Sequence, residues 1–468
     1  MTRVVVAGGG FAGLSAALFL ARRGHAVTLV ERDGDPPDGQ SADDEARGWK
    51  RPGAPQSHQG HLLLARARRV FSEEAPDVLD AFVARGIRQV PASVGAGALD
   101  GEYFLTSRRL VAEATLRRIV AHEPGVVWRS GETVVGLLTD ASALVPVACG
   151  VRLGSGELLP AELVVDAGGR RSALPEWLCE SGARAPADQT QHCGFMYLTR
   201  FYRTRAGCRQ PPTRVPAAVP LDYATVIAFG ADNDTFSVTL TLSTDDPYRA
   251  RLRDPDCFEA LMRMVPAAQP WVTTGDPITE VATMSRIENR RRNLVDAHGP
   301  VVGGIVAIGD ASLHTNPTLG RGISMAVWQA QHLASEASSA ADDPVGFVQR
   351  FHDWTTDNLG FWFDSQVAAD VAGLDRLAAG LRGERLDPPT DPASRFLGAA
   401  FRCAAHDAGV GAAVAAVVHL LVPPAEAFAD PMVAGVIGAY LATDPQFDRP
   451  PDVPNRSQFE LLVTSHRP

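Results

Sequence analysis

Residues 4–33, VVVAGGGFAGLSAALFLARRGHAVTLVERD, constrain this chain more than any other stretch. The run before Gly8 is short, β-branched and without polar alternation, which predicts a buried parallel strand. The turn after it puts Gly8, Gly10 and Gly13 at the first, third and sixth positions of the dinucleotide fingerprint. Gly8 makes the tight turn, Gly10 admits a pyrophosphate close to the backbone, and Gly13 lets the next helix pack on the strand. The helix opening there aims free amides and the positive end of its dipole at phosphates. Glu31 ends the second strand about twenty residues on, where the fingerprint sets a carboxylate against a ribose hydroxyl and would repel a 2′-phosphate. A bare GxGxxG is also an ordinary turn of α/β proteins, but here strand, turn, helix, strand and acid agree. At this point the ligand is FAD or NAD.

The chain has 468 residues, enough for two or three domains. It is 45% hydrophobic and 21% charged, with a formal charge of −10, which argues against nucleic acid as the main partner. Lys50 is the only lysine, an arginine bias typical of GC-rich bacterial genomes. Cys149, Cys179, Cys193, Cys208, Cys257 and Cys403 form no CxxC pair, so neither a metal site nor a disulfide framework is expected and a cytoplasmic setting is the default. No signal peptide precedes the first strand, and the longest apolar stretch, VGAAVAAVVHLLV from Val410, is too short to span a bilayer. It reads as a buried helix, with a peripheral membrane contact as the second reading.

Residues 33–59 are rich in Pro, Gly, Asp and Arg and read as a long loop, with a helix expected from Gly60 onward. Arg108 and Arg109 open another helix, with Glu113 in its second turn. From about residue 191 to 288 the pattern becomes strand-like. A hairpin turns at residues 231–234, and Phe236, Val238, Leu240 and Leu242 then alternate with Ser and Thr, the mark of an antiparallel strand with one apolar face. The doubly wound pattern resumes from residue 289, and the chain past Phe347 is helical, interrupted by a linker at residues 380–395.

A second constellation, VAIGDASLHTNPTLGRGISMA, ends a buried strand at Gly309-Asp310 and leads through Pro317, Gly320 and Gly322 into a helix. Asp310 can accept hydrogen bonds from sugar-like hydroxyls. The amides from Gly320 to Ile323 lie at a helix N-terminus, which suits a developing anion.

Together the two motifs resemble those of the aromatic-hydroxylase group of single-component FAD monooxygenases, over residues 4–340. The fold this implies is α/β: a doubly wound, Rossmann-like FAD domain with an inserted antiparallel β-sheet substrate domain and a helical C-terminal region. The boundaries expected are 1–190 for the first part of the FAD domain (76–104 lying near the substrate domain), 191–288 for the sheet, 289–345 for the second part and 346–468 for the helical region. The resemblance implies that Glu31 binds the adenosine ribose, the backbone at Val134 the adenine, Arg108 the phosphate or ribityl region, and Asp310 the ribityl chain. Phe11, Ala12, Arg32, Pro317, Gly320, Gly322 and Ile323 complete the expected cofactor set. The stretch RPGAPQSHQGHLLL is similar to a loop of the squalene epoxidase and bacterial polyether epoxidase branch; there two histidines flank one residue, and here Gln59 replaces the first while His61 keeps the second.

Two positions depart from the hydroxylase pattern. The GADGARS motif reads DAGGRRS here, with Gly168 at the aspartate position and Asp166 displaced, so NADPH or NADH supplies electrons either directly or through a separate flavin reductase. Leu313 holds a place commonly taken by histidine, and His314 beside it reads as a packing residue or a flavin contact.

Arg51 and His61 are the weak catalytic candidates, each reading equally as a loop-ordering residue. Arg108 is either cofactor-facing or solvent-exposed. Tyr197, Tyr223 and Phe236 are core residues or the lining of an apolar substrate site. Asp222 is a turn residue or a base, and Trp328 a core residue. The chemistry this implies is insertion of one oxygen atom from O₂ into an apolar alkene or aromatic substrate. The absence of an obvious base favours epoxidation over hydroxylation, and bacterial natural-product metabolism is the implied setting. An FAD-dependent dehydrogenase, oxidase or reductase, or a non-catalytic flavoprotein that binds a pathway intermediate, are the alternatives. Flavin halogenases share the fold, but their WxWxIP signature is absent.

Overall fold

The computed structural model describes residues 1–37, 39, 41–384, 389–443 and 453–465. Asp38 and Gln40 of the expected loop and residues 385–388 of the expected linker lie outside them.

The glycine turn does what its spacing demands. Gly8 has φ +115°, and a Cβ there would lie 2.4 Å from the Ala167 carbonyl oxygen; one at Gly13 would lie 1.8 Å from that of Gly8. Only glycine lets helix Phe11–Arg22 close onto the strand before it. That strand, Arg3–Ala7, belongs to a five-stranded all-parallel sheet ordered Ile305–Ala307, Leu163–Asp166, Arg3–Ala7, Ala26–Glu31, Val126–Ser130. The inner strands are apolar, and their side chains form one continuous core with those of helices Phe11–Arg22, Arg109–Ala121 and Gly322–Glu336 and of the antiparallel strands Val134–Asp140 and Val147–Leu153. Leu163–Asp166 and Ile305–Ala307 are far from the N-terminus in sequence yet pair beside it, so the ends of both motifs emerge on one edge of one sheet.

A second unit is an antiparallel sheet ordered Ala218–Pro220, Thr225–Gly230, Thr235–Ser243, Phe195–Thr204, Gly275–Pro277, with Ala282–Met284 also paired to Phe195–Thr204. The hairpin turns at residues 231–234 as its alternation predicts, but all nine residues of Thr235–Ser243 are buried. The register explains this. Leu198, Tyr202, Phe236, Val238 and Leu240 share one face and pack with Phe258, Leu261 and Phe459 of helices Pro255–Met264 and Arg456–Ser465. Tyr197, Thr199, Ile227, Phe229, Ser237 and Thr239 share the other, which meets the parallel-sheet unit rather than solvent. The Arg88 guanidinium donates to Gln210 Oε1, in the loop after Phe195–Thr204, at 2.6 Å.

The helix expected to start at Gly60 is instead a strand, Gly60–Leu63, paired with Gly97–Arg108, and a helix, Ala65–Glu74. A short apolar run such as HLLL fits either element, and the unpaired edge of the long strand decides it. The expected loop before it holds a short helix, Ala42–Gly48, capped by the Ser41 hydroxyl. The C-terminal region is helical: Pro344–Leu381, Pro392–Cys403, Ala408–Val418, Pro431–Ala442 and Arg456–Ser465. Val410, Val414 and Ala415 bury the apolar stretch, and among the described residues no single helix is long and apolar enough to cross a membrane.

Candidate functional site

A cleft of about 230 Å³ runs along the C-terminal ends of the parallel strands. Gly8, Gly10, Phe11, Ala12, Glu31, Arg32, Val134, Asp310, Gly322 and Ile323 line it. At one end the Glu31 carboxylate accepts the Gly9 amide at 2.6 Å and the Asp33 amide at 2.8 Å. Arg51 holds the segment beneath it: its guanidinium lies 2.7 Å from Glu113 and 3.4 Å from both Glu31 and Asp33, and donates to the Gly9 carbonyl. Burial works against that charge, but the three carboxylates outweigh it and hold its pKa above the ordinary value. In the middle, Arg109 lies over the Phe11 ring with its centroid 5.6 Å away, and its Nη2 stands 3.8 Å from where a Gly10 Cβ would be. A side chain at Gly10 would fill this cradle; without one, the turn amides and a cation face open space.

At the far end Asp310 is 3.4 Å from His314 Nδ1. Burial raises the Asp310 pKa, but His314, Arg109 and Arg170 overcome it and hold the carboxyl below its usual range. Here the cleft opens into a second cavity of about 390 Å³, sharing Gln56, Arg109, Arg170, Asp310, Gly322 and Ile323 with it. This chamber is mostly apolar. Ile227, Phe229 and Val215 come from the sheet unit, Leu319 from the glycine loop, and Phe361, Leu397, Phe401 and Val417 from the C-terminal helices. Phe361, Leu397 and Phe401 are 46%, 39% and 42% exposed, so they form a mouth to solvent. Pro317, Gly320, Tyr197 and His61 also line the chamber.

Burial, then Arg109, pushes His61 down to about 3. Its Nδ1 is 2.9 Å from the Gln59 carbonyl oxygen, which only accepts, so Nδ1 carries the proton and Nε2 is bare. The Tyr197 hydroxyl bonds Asn316 and, at 2.7 Å, Thr318, and burial raises its pKa. His61 and Tyr197 are thus neutral groups of the chamber wall, while Arg109, Arg170, Asp310 and Arg321 are its charged ones and His314 stands beside Asp310.

The DAO family, FAD dependent oxidoreductase, matches residues 3–335, well over half of the chain and the whole of this cleft. The chain belongs to that family. This oxidoreductase is also 29% identical over 375 residues to Protein Rv3254 of Mycobacterium tuberculosis, covering 70% of the chain and 71% of the relative. Its fold is similar to that of PqsL, an FAD-dependent monooxygenase of Pseudomonas aeruginosa (TM-score 0.56, 17% identity, 81% of this chain and 99% of that one). It is similar, too, to the flavin-dependent brominase Bmp2 (TM-score 0.56, 17% identity, 81% and 91%) and to the Diels-Alderase PyrE3 of pyrroindomycin biosynthesis (TM-score 0.55, 14% identity, 90% and 81%).

The oxidoreductase's cleft suits its FAD: an open glycine turn beside a cation, a seated carboxylate at each end, and a helix N-terminus at the chamber. Three expectations need correction. Arg108 does not face the cleft; its guanidinium is bonded to Asp232 at 2.6 Å and Asp43 at 2.8 Å, because it is the last residue of a strand and its neighbour Arg109, the first of the helix, turns the opposite way. Tyr223 and Phe236 do not line the chamber: both sit in the core behind the sheet, where Phe236 stacks on Tyr202 with centroids 5.1 Å apart. Arg51 lies at the Glu31 end of the cleft, away from the chamber, so of the two catalytic candidates only His61 reaches it. Arg109 was signalled in sequence by Glu113 four residues on, its partner at 2.9 Å; the C-terminal contributions to the chamber carried no comparable signal. Asp166, displaced from the family position, is buried and accepts the Gly168 amide at 2.9 Å and the Ser172 hydroxyl at 2.5 Å, with burial raising its pKa despite both.

Proposed function

We propose that this oxidoreductase is a monooxygenase that transfers one oxygen atom from O₂ to an apolar alkene or aromatic substrate, with epoxidation preferred. The observation that carries this is the apolar chamber that meets the cofactor cleft at Asp310, Gly322 and Ile323, where burial makes His61 a weak base. Epoxidation needs no proton taken from the substrate, whereas phenol hydroxylation works best with one removed.

In this reading Glu31 holds the adenosine ribose, the Val134 backbone the adenine, and the turn amides around Phe11, Ala12 and Gly13 the pyrophosphate with Arg109 beside them. Arg32 closes the adenosine side and Asp310 takes the ribityl chain. The amides from Gly320 to Ile323, at a helix N-terminus, stabilise negative charge on the flavin's edge. Bound FAD, reduced by two electrons from NADPH or NADH, activates O₂ so that one atom enters the substrate and the other leaves as water. Val215, Ile227, Phe229 and Leu319 orient the substrate and exclude water. Gly168 in place of the family's aspartate favours delivery of those electrons by a separate flavin reductase. The squalene and polyether epoxidase likeness of the loop carrying His61 points to the same alkene chemistry.

The test is anaerobic mixing of FAD-loaded protein with NADPH or NADH, then with a bacterial flavin reductase, followed by ¹⁸O₂ and the probes styrene, squalene and naphthalene. The reading expects ¹⁸O in an epoxide or phenol. Flavin turnover whose products lack ¹⁸O would replace it with a dehydrogenase or oxidase.

A further inference from the structure

Arg321 stands between Gly320 and Gly322 and lines the apolar chamber. Its Nη1 donates to the Trp362 carbonyl at 3.0 Å and to the Ser365 hydroxyl at 2.8 Å, and the guanidinium lies 5.4 Å from the Trp362 ring centroid. All of these partners are neutral. Among the described residues no carboxylate forms an ion pair with it, and Nε and Nη2 have no hydrogen-bond partner. Arg51, Arg108, Arg109, Arg200 and Arg456 each meet a carboxylate, whereas Arg66 and Arg376 share with Arg321 a set of neutral partners but have their guanidinium bonded on both the Nε or Nη1 and the Nη2 side. The one carboxyl that acts on Arg321 at longer range, Asp370, is already engaged by Asn289, Asn316 and Gln366, and burial holds it toward its neutral form. Burial lowers Arg321 itself to about 10, so it stays protonated at neutral pH. A half-buried cation without a counter-ion leaves its charge uncompensated, and the free Nε–Nη2 edge is a fork that matches the two oxygens of a carboxylate.

We propose that the substrate is an amphipathic carboxylate: an unsaturated apolar skeleton held by Val215, Ile227, Phe229 and Val417, with its carboxylate docked on the Nε–Nη2 edge of Arg321. The unsaturation rests on the monooxygenase reading above; the charged head group rests on the chamber alone.

The experiment titrates two probes that differ only in head group, palmitoleate and palmitoleyl alcohol, into FAD-loaded protein, with binding read by calorimetry and no turnover required. The acid is expected to bind at least about tenfold tighter than the alcohol, the effect of one charge-assisted pair. Arg321→Gln should bring the acid down to the alcohol's affinity and leave the alcohol unchanged, and Arg321→Lys should restore part of the preference. Equal binding of the two probes by the unmodified protein, equal weakening of both by Arg321→Gln, or no saturable binding of either overturns the proposal. Charge-selective binding without any ¹⁸O transfer would sink the monooxygenase reading and leave this one standing.

Discussion

Exchanging Arg108 for methionine keeps most of the side chain's length and removes its charge, so its cost is set by what stays behind. Asp232 is fully buried and takes three contacts from that guanidinium, Nη2 at 2.6 Å and Nε at 3.1 and 3.2 Å. Stripping one partner from a buried pair costs about 3–5 kcal/mol, because the remaining carboxylate is left without compensation. Asp232 would retain the Arg108 amide at 2.7 Å and the Asn233 side chain at 3.1 Å, which places the expected loss near the lower end, about 3 kcal/mol. The second partner, Asp43, is a third exposed and adds at most about 1 kcal/mol. Arg109→Met behaves in the opposite sense. Its buried partner Glu113 keeps Arg51 at 2.7 Å, so stability falls less, but the cation beside the glycine turn is lost. Removing one charge-assisted bond to a phosphate, worth about 1.5–3 kcal/mol, weakens FAD binding about 10- to 150-fold. Urea unfolding of the FAD-loaded proteins reads the first quantity, and flavin fluorescence on titrating FAD into apoprotein reads the second. If Arg108→Met weakens FAD more than Arg109→Met does, with unfolding midpoints in the reverse order, the assignment of the two side chains fails.

Phe236→Ala should lower stability by about 3–5 kcal/mol through the cavity left beside Tyr202 and Trp271, with probe binding in the chamber unchanged in whatever protein remains folded; altered probe binding would mean that it faces the chamber after all. Asp310→Ala should reduce FAD occupancy in purified protein while the far-ultraviolet circular dichroism stays as in the parent, and full retention of FAD would show that this carboxylate does not hold the cofactor. His419 is buried against Phe104 and lowered by burial to about 4 from an unfolded value of 6.5. A depressed histidine favours the folded state when neutral, so its contribution is complete above about pH 6.5 and is lost as pH falls toward 4. The unfolding midpoint of His419→Phe should therefore fall less steeply than the parent's across that window; parallel curves would refute it.

The parts of the fold legible in sequence are those where a backbone requirement leaves one residue type. Gly8 and Gly13 are such places, since any Cβ meets a carbonyl oxygen within 2.4 Å. The Asp310 motif was readable for a related reason, because a strand end, a tight turn and a helix start must follow in so few residues. What misled was the meaning of polarity. Ser237, Thr239 and Thr241 read as the wet side of a half-exposed strand, yet they are buried against the cofactor unit, where Thr239 bonds Thr199 at 2.7 Å and lines the chamber. A hydroxyl stripe satisfied across strands is as compatible with a buried interface as with water. The exchange of Arg108 for Arg109 has the same origin as any one-residue slip at a strand end: consecutive side chains point to opposite faces, and sequence does not fix the boundary to one residue. The chamber walls from helices Pro344–Leu381, Pro392–Cys403 and Ala408–Val418 were illegible because their apolar residues serve equally as core until tertiary packing leaves a gap between them.

The departure at residues 166–172 is best understood as one coupled exchange rather than two separate substitutions. A Cβ at Gly168 would lie 3.0 Å from Asp166 Oδ1, so an aspartate restored there would press a second carboxylate against one that burial already drives toward its protonated form. With Gly168 bare, Asp166 instead closes the turn on itself, taking the Gly168 amide and the Ser172 hydroxyl, and Ser172 in turn accepts the Leu174 amide that starts the next helix. The Asp166 carboxylate thus supports the loop through these bonds while its residue still lines the cleft. Arg170 and Arg171 line the cleft beside Asp166. Their positive charge at this end of the cleft attracts anions, as does that of Arg321 in the adjoining chamber.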